Sequence, residues 1–332
     1  MDQELAELLA RLAQAECASD GDVLMLRQLV WDDDDEAVLS QTVVDALFTL
    51  NDRFDRSTPA WNDFFIEAVE HFLLHQQPPH GFIDDAGADW LRARIDRNGR
   101  VMNDTELTLL VALIEDAENA PGSLKDYAIA QIERAIVTGE GPTRGDDIRP
   151  GCVDAAEAQL LRRLIFAGGG EGAIVVGADE ADMLFRIKNA TLGGYNDPAW
   201  LQLFVQGVGN HLLAHSDYRP LSRDEAIRLN AEMGRNTPNV ASFFRRMLPD
   251  ERFGTGTIVE AFKSVFPGRP DPVRGEGPQE ISRALSVEEA GWLKTHIAAD
   301  GEIDIYEKAL LTFVIDEVGN LPSMLESLRK RA

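Results

Sequence analysis

Apolar residues recur along this chain at intervals of three and four. The clearest run is Pro59-Ala-Trp-Asn-Asp-Phe-Phe-Ile-Glu-Ala-Val-Glu-His-Phe-Leu-Leu74. Its apolar positions, Trp61, Phe64, Phe65, Val69, Phe72 and Leu73, form one broad stripe on a helix. A proline in the first turn costs little, because its missing N–H would have no intrahelical partner there. The same pattern returns at Pro198-Ala-Trp-Leu-Gln-Leu-Phe-Val-Gln-Gly-Val-Gly-Asn-His-Leu-Leu213, with Pro, Ala, Trp, Phe, Val and the closing Leu-Leu in register 139 positions later.

The repetition extends to either side. Leu26-Arg-Gln-Leu-Val-Trp31 matches Leu161-Arg-Arg-Leu-Ile-Phe166, and Cys17 matches Cys152, both at an offset of 135. Leu47-Phe48 matches Leu184-Phe185 at 137. Ala88-Asp-Trp-Leu91 matches Ala290-Gly-Trp-Leu293 at 202, and Glu106, Leu109, Leu110 and Ile114 match Glu307, Leu310, Leu311 and Ile315 at 201. The jump in offset places an insertion at about 216–283. The pattern predicts an all-α fold of two duplicated helical-bundle halves: 1–138, a Gly/Pro-rich linker at 139–151, and 152–332 with the insertion.

A shorter signal marks where helices begin. It is a capping residue followed three positions later by an acid, at Ser19…Asp22, Asn103…Glu106, Asp154…Glu157, Ser222…Glu225, Ser286…Glu289 and Asp304…Glu307. Each predicts a capping box, in which the first side chain accepts from a free helix N–H and the acid reaches back. Ser40 and Asp84 predict two further caps. Strand signals are confined to Arg100-Val-Met102 and Ala173-Ile-Val-Val176, which predict short bridges between loops and no sheet.

Composition narrows the function classes. Net charge is −25, from 32 basic and 57 acidic residues. Such a surface repels phosphate backbones, which argues against nucleic acid and leaves cations or a basic protein as candidate partners, beside the reading that the charge serves solubility alone. The first helix is amphipathic and acidic, unlike a secretory signal, and no run is long enough to span a membrane. With two cysteines and no disulfide framework, a cytoplasmic location is expected. Cys17 and Cys152 read as small apolar plugs at equivalent sites. The insertion alone is not acidic, with eleven Arg or Lys against ten Asp or Glu over 216–283.

Candidate chemistry is sparse. Ile297-Ala-Ala-Asp-Gly-Glu-Ile-Asp-Ile-Tyr-Glu-Lys-Ala-Leu-Leu311 carries an Ala-Asp-Gly followed by a Glu that opens a helix. On Ala299, Asp300, Gly301 and Glu307 it resembles the helical module of the TerB-like tellurite-resistance and DjlA-like proteins. The likeness covers about thirty residues, and the first half departs from it, with Arg97-Asn98-Gly99 in the corresponding place. The resemblance implies a helical, acidic, non-enzymatic stress or adaptor module in which divalent metal can bind. Gly301, Ile303 and Glu307 also occupy the spacing of a Ca²⁺ loop, but His296 and Ala298 fall where two ligands belong. Asp300, Asp304 and Glu307 are therefore candidates for weak Ca²⁺ or Mg²⁺ binding, beside a structural reading in which Gly301 turns the chain and Asp304 caps a helix.

The acidic run containing Asp32, Asp34 and Glu36 is a second candidate for a weak cation, beside the reading of a solvated loop. His71 and His75, and His211 and His215, stand four apart, a spacing that can hold a transition metal, with packing or surface roles the alternative. Gly168-Gly-Gly-Glu-Gly172 lacks the Lys and Ser/Thr of a phosphate loop. The leading expectation is a non-enzymatic binding or adaptor protein. The other is an enzyme or small-molecule binder that uses the cleft between the halves and the basic insertion, where Arg245, Arg246 and Arg252 hold an anion.

Overall fold

A computed structural model describes residues 3–31, 39–54, 56–101, 103–144, 150–167, 176–213, 285–297, 301–318, 322 and 325. The fold is all-α: twelve α-helices and no strand are present among the described residues. The chain divides into two compact units, one reaching to Pro150 and the other running from Gly151, with Ala167–Gly170 grouped with the first.

Unit 1 holds α1 (Gln3–Leu12), α2 (Asp20–Val30), α3 (Gln41–Arg53), α4 (Pro59–Glu70), α5 (Asp85–Ile95), α6 (Asp104–Asp116) and α7 (Gly122–Thr138). Its centre is α4, which packs against α2, α3 and α6. Thr58 starts this helix by accepting from the Trp61 N–H at 3.2 Å. Trp61, Phe64, Phe65, Ala68 and Val69 are all fully buried. Each large side chain in that stripe contributes about 1.5–3 kcal/mol by leaving water. Beyond Glu70 the helix widens into a π-turn, His71–Gln76. The wider turn lets three consecutive apolar residues, Phe72, Leu73 and Leu74, all face the core.

Unit 2 holds α8 (Ala155–Ile165), α9 (Ala178–Thr191), α10 (Pro198–Leu213), α11 (Val287–His296) and α12 (Ile305–Val318). Here α10 is the centre and packs against α8, α9 and α12. Two glycines permit the close approach: a Cβ on Gly207 would lie 2.5 Å from Leu184 Cδ1, and one on Gly209 would lie 2.3 Å from Phe313 Cε1. Aromatic packing follows one scheme in both units. Phe48 meets Phe65 edge-on at 5.1 Å and Trp90 at 6.0 Å; Phe185 meets Phe204 edge-on at 5.1 Å and Trp292 at 5.5 Å.

Among the described residues the predicted capping signals fall at helix starts, with one departure from the box. Reciprocal boxes form at Ser19/Asp22, Asp154/Glu157 and Ser286/Glu289, and Ser40 and Asp84 cap without the returning acid. At Asn103 the side chain accepts from Thr105 N–H, but Glu106 turns away from the cap and into the core. Two expectations are corrected. The bridge between loops joins Phe82 and Asn119, while the N–H of Val101 is taken by the Gln131 side chain. Nor is Cys17 a plug: it is exposed and Cys152 half-buried, and the buried residues are their neighbours Ala18 and Val153, at 1% and 0% exposure. The segment 173–175, Ser222, Glu225 and the insertion helices lie outside the described residues. No described helix is long and apolar enough to cross a membrane.

Candidate functional site

The most unusual group in the interior is the ammonium of Lys188. It sits on α9, on the same stripe as Ala181, Leu184, Phe185 and Thr191, and its side chain is only 2% exposed. Its Nζ donates to Asp304 Oδ2 and to Glu307 Oε1, each at 2.7 Å. Glu307 is 3% exposed and Asp304 14%. The other oxygen of Asp304 caps α12 by accepting from the N–H groups of Tyr306 at 2.8 Å and Glu307 at 3.0 Å. Glu307 Oε2 accepts in return from Asp304 N–H at 3.3 Å. One lysine thus ties α9 to the start of α12, and the capping box that sequence predicts doubles as its counter-charge. Around it, Asn196 Nδ2 donates to Tyr306 Oη at 2.9 Å and to Thr191 O at 2.8 Å. Burial first of all pushes the Tyr306 phenol up to about 12.

Two of the candidate metal ligands, Asp304 and Glu307, are therefore brought together, and the cation they share is Lys188. Asp300, Asp32, Asp34 and Glu36 lie outside the described residues, as do Arg245, Arg246 and Arg252. His71 and His75 lie ring to ring at 5.6 Å, inside the π-turn. His211 Nδ1 is 2.9 Å from Val176 O, its ring packs on Trp292, and His215 is outside the described residues. Among the described residues no three His, Cys, Asp or Glu side chains converge as a metal set. Lys188 is absent from the sequence expectations, yet it had a signal: a lysine at the centre of an apolar helical stripe.

Unit 1 also buries polar side chains. Asn51 on α3 and Glu106 on α6 are 2% and 1% exposed. Asn51 Oδ1 accepts from Trp61 Nε1 at 3.0 Å, whereas Trp200 Nε1 in unit 2 is buried without a partner among the described residues. Among the described residues no ammonium reaches Glu106. Burial, and then the charge of Asp52, pushes its carboxyl up to about 8 against the pull of Arg97. Glu106 Oε1 and Asn51 Nδ2 are buried with no hydrogen-bond partner among the described residues. A second contrast concerns the central helices. Arg27 on α2 is ion-paired with Glu67 on α4 and lies over the Trp31 and Phe64 rings. In unit 2 Arg162 on α8 meets Gln206 on α10 instead, and burial lowers the guanidinium to about 10.

In comparisons with family models, curated proteins and solved structures, the chain matched none.

Proposed function

We propose that this chain is a non-enzymatic binding protein, an acidic helical scaffold that engages a protein partner through its surface. The observation that carries the reading is the Lys188–Asp304–Glu307 cluster. Its three charged groups are closed inside unit 2 and committed to joining helices. What is left to face a partner is a surface belonging to a chain of net charge −25, suited to a basic protein or to cations. The resemblance of Ala299–Glu307 to the TerB-like and DjlA-like module points the same way and rests on those residues alone.

The reading includes a duplication. It is supported by the buried Trp61 and Trp200 on the central helices, the matched aromatic geometry around Phe48 and Phe185, and the plugs Ala18 and Val153 ahead of α2 and α8. Corresponding polar positions then diverged, Asn51 against Lys188 and Glu67 against Gln206. Weak divalent-cation binding belongs to the acidic loops. At Asp304 and Glu307 a cation must displace a bonded ammonium, so the run with Asp32, Asp34 and Glu36 is the better candidate.

The test uses the full chain. A discrete partner captured at low ionic strength and released by salt is expected, because exposed charges are screened over about 10 Å at 0.1 M salt. Catalytic consumption of any compound from a metabolite pool overturns the reading. Calcium that leaves the melting temperature unchanged removes the cation part.

A further inference from the structure

In unit 1 a cavity of about 230 Å³ opens between the loop joining α5 to α6 and the carboxyl end of α7. It is lined by Arg100, Val101, Gln131, Arg134, Glu140 and Pro142. Its frame is fixed by hydrogen bonds. Asn98 and Gly99 are both left-handed, at φ 58° and 79°, and Asp96 Oδ1 accepts from Gly99 N–H at 2.7 Å. That turn aims the Gly99 carbonyl at α7, where it accepts from Gln131 Nε2 at 3.3 Å and Arg134 Nη1 at 3.0 Å. Gln131, 4% exposed, also accepts from Val101 N–H at 3.1 Å. On the opposite wall Gly141 lies so close to α7 that a Cβ there would stand 2.7 Å from Ala135 Cβ.

Charge says what the cavity suits. Two guanidiniums and one carboxylate give it a net positive charge within a strongly acidic chain. The carboxyl end of α7 opposes this with only about half a charge, and the Gly139 N–H already closes onto Ala135 O at 2.9 Å. Arg134 spends one nitrogen on Gly99, and its Nε and Nη2 make no hydrogen bond among the described residues. Arg100 is held by Glu140 at 2.9 Å, but the two side chains are 49% and 64% exposed, and such pairs contribute little. An incoming anion can therefore take Arg100 from Glu140. Pro142 adds apolar wall, and Val101, 1% exposed, closes the base beneath it.

We propose that this cavity binds a small organic carboxylate on an apolar body. The guanidinium forks of Arg100 and Arg134 suit a carboxylate. A cavity of about 150 Å³ holds benzene, so this one has room for a molecule the size of benzoate. Glu140 acts as a displaceable competitor for Arg100.

The experiment is an NMR titration of the full chain with benzoate, its neutral analogue benzamide, and inorganic phosphate. Benzoate is expected to move the amides of Val101, Gly139 and Gly141 saturably, and benzamide to leave them in place. Arg100→Gln and Arg134→Gln should each weaken binding about tenfold, as loss of one charge-assisted pair does. Arg134→Lys, which keeps a cation, should recover part of that loss. Glu140→Gln should strengthen binding severalfold, a sign that a merely structural Glu140 would not produce. Absence of shifts with millimolar benzoate, equal binding of benzamide, equal binding of phosphate, or weakened binding in Glu140→Gln would each overturn the proposal. Spectra unchanged away from the cavity show that the variants fold. None of these outcomes bears on whether the surface captures a protein.

Discussion

Glu106 should make this protein lose stability as the medium turns alkaline, and Glu106→Gln should remove the loss. In the folded chain the carboxyl titrates at about 8 instead of 4.5, chiefly because it is buried and secondarily because Asp52 is near. Between those values the unfolded chain has released the proton that the folded chain keeps. Stability is therefore highest below the unfolded value, falls through the window from 4.5 to about 8, and is level above it. At about 1.36 kcal/mol per pH unit the full window amounts to roughly 5 kcal/mol. The pull of Arg97 is already contained in that value; relaxation of the ionised carboxylate toward water reduces the loss, and about 2–3 kcal/mol is the working figure. Glutamine keeps the shape and never ionises. Glu106→Gln should match the parent chain near pH 4.5 and exceed it by about 2–3 kcal/mol near pH 8. Urea unfolding across that range, read through hydrogen exchange of the α6 amides, measures the difference. Parallel pH profiles for Glu106→Gln and the parent would refute the reasoning.

Three other variants probe unit 2. Lys188→Met strands two carboxylates in the core and should cost about 3–5 kcal/mol in chemical denaturation, whereas pairing it with Glu307→Gln should recover part of the loss. Gly209→Ala places a methyl group against the Phe313 ring and should cost about 1–3 kcal/mol, seen as a lower melting temperature. Gln206→Glu gives Arg162 the carboxylate that Arg27 has in Glu67 and should stabilise by up to about 1 kcal/mol, an effect that shrinks in high salt.

Much of the fold was legible in the chain because its signals are local. A capping residue and the acid three positions on lie within one turn, so Ser19, Asp154 and Ser286 announce their helices without reference to anything distant. The stripe through Trp61, Phe64 and Phe65 likewise marks a buried face whatever lies against it. The π-turn after Glu70 was not legible: Phe72-Leu-Leu74 continues a helical pattern, and only packing on three sides shows why the turn widens. Glu106 was misread for a related reason. At the third helical position, an acid can return to the cap or point inward, and the sequence is the same in both cases.

By itself the sequence determined that this protein is helical, where most helices begin, which faces are buried and how acidic the whole is. These follow from periods of three to four residues and from simple counting. Tertiary structure alone decided which charges meet. Lys188 finds its carboxylates 116 and 119 residues away, while Glu106 finds no ammonium among the described residues. It also decided that Gly207 and Gly209 face close neighbours and that Arg100 and Arg134 share a cavity. Those outcomes depend on distances between segments far apart in the chain, which no local pattern encodes.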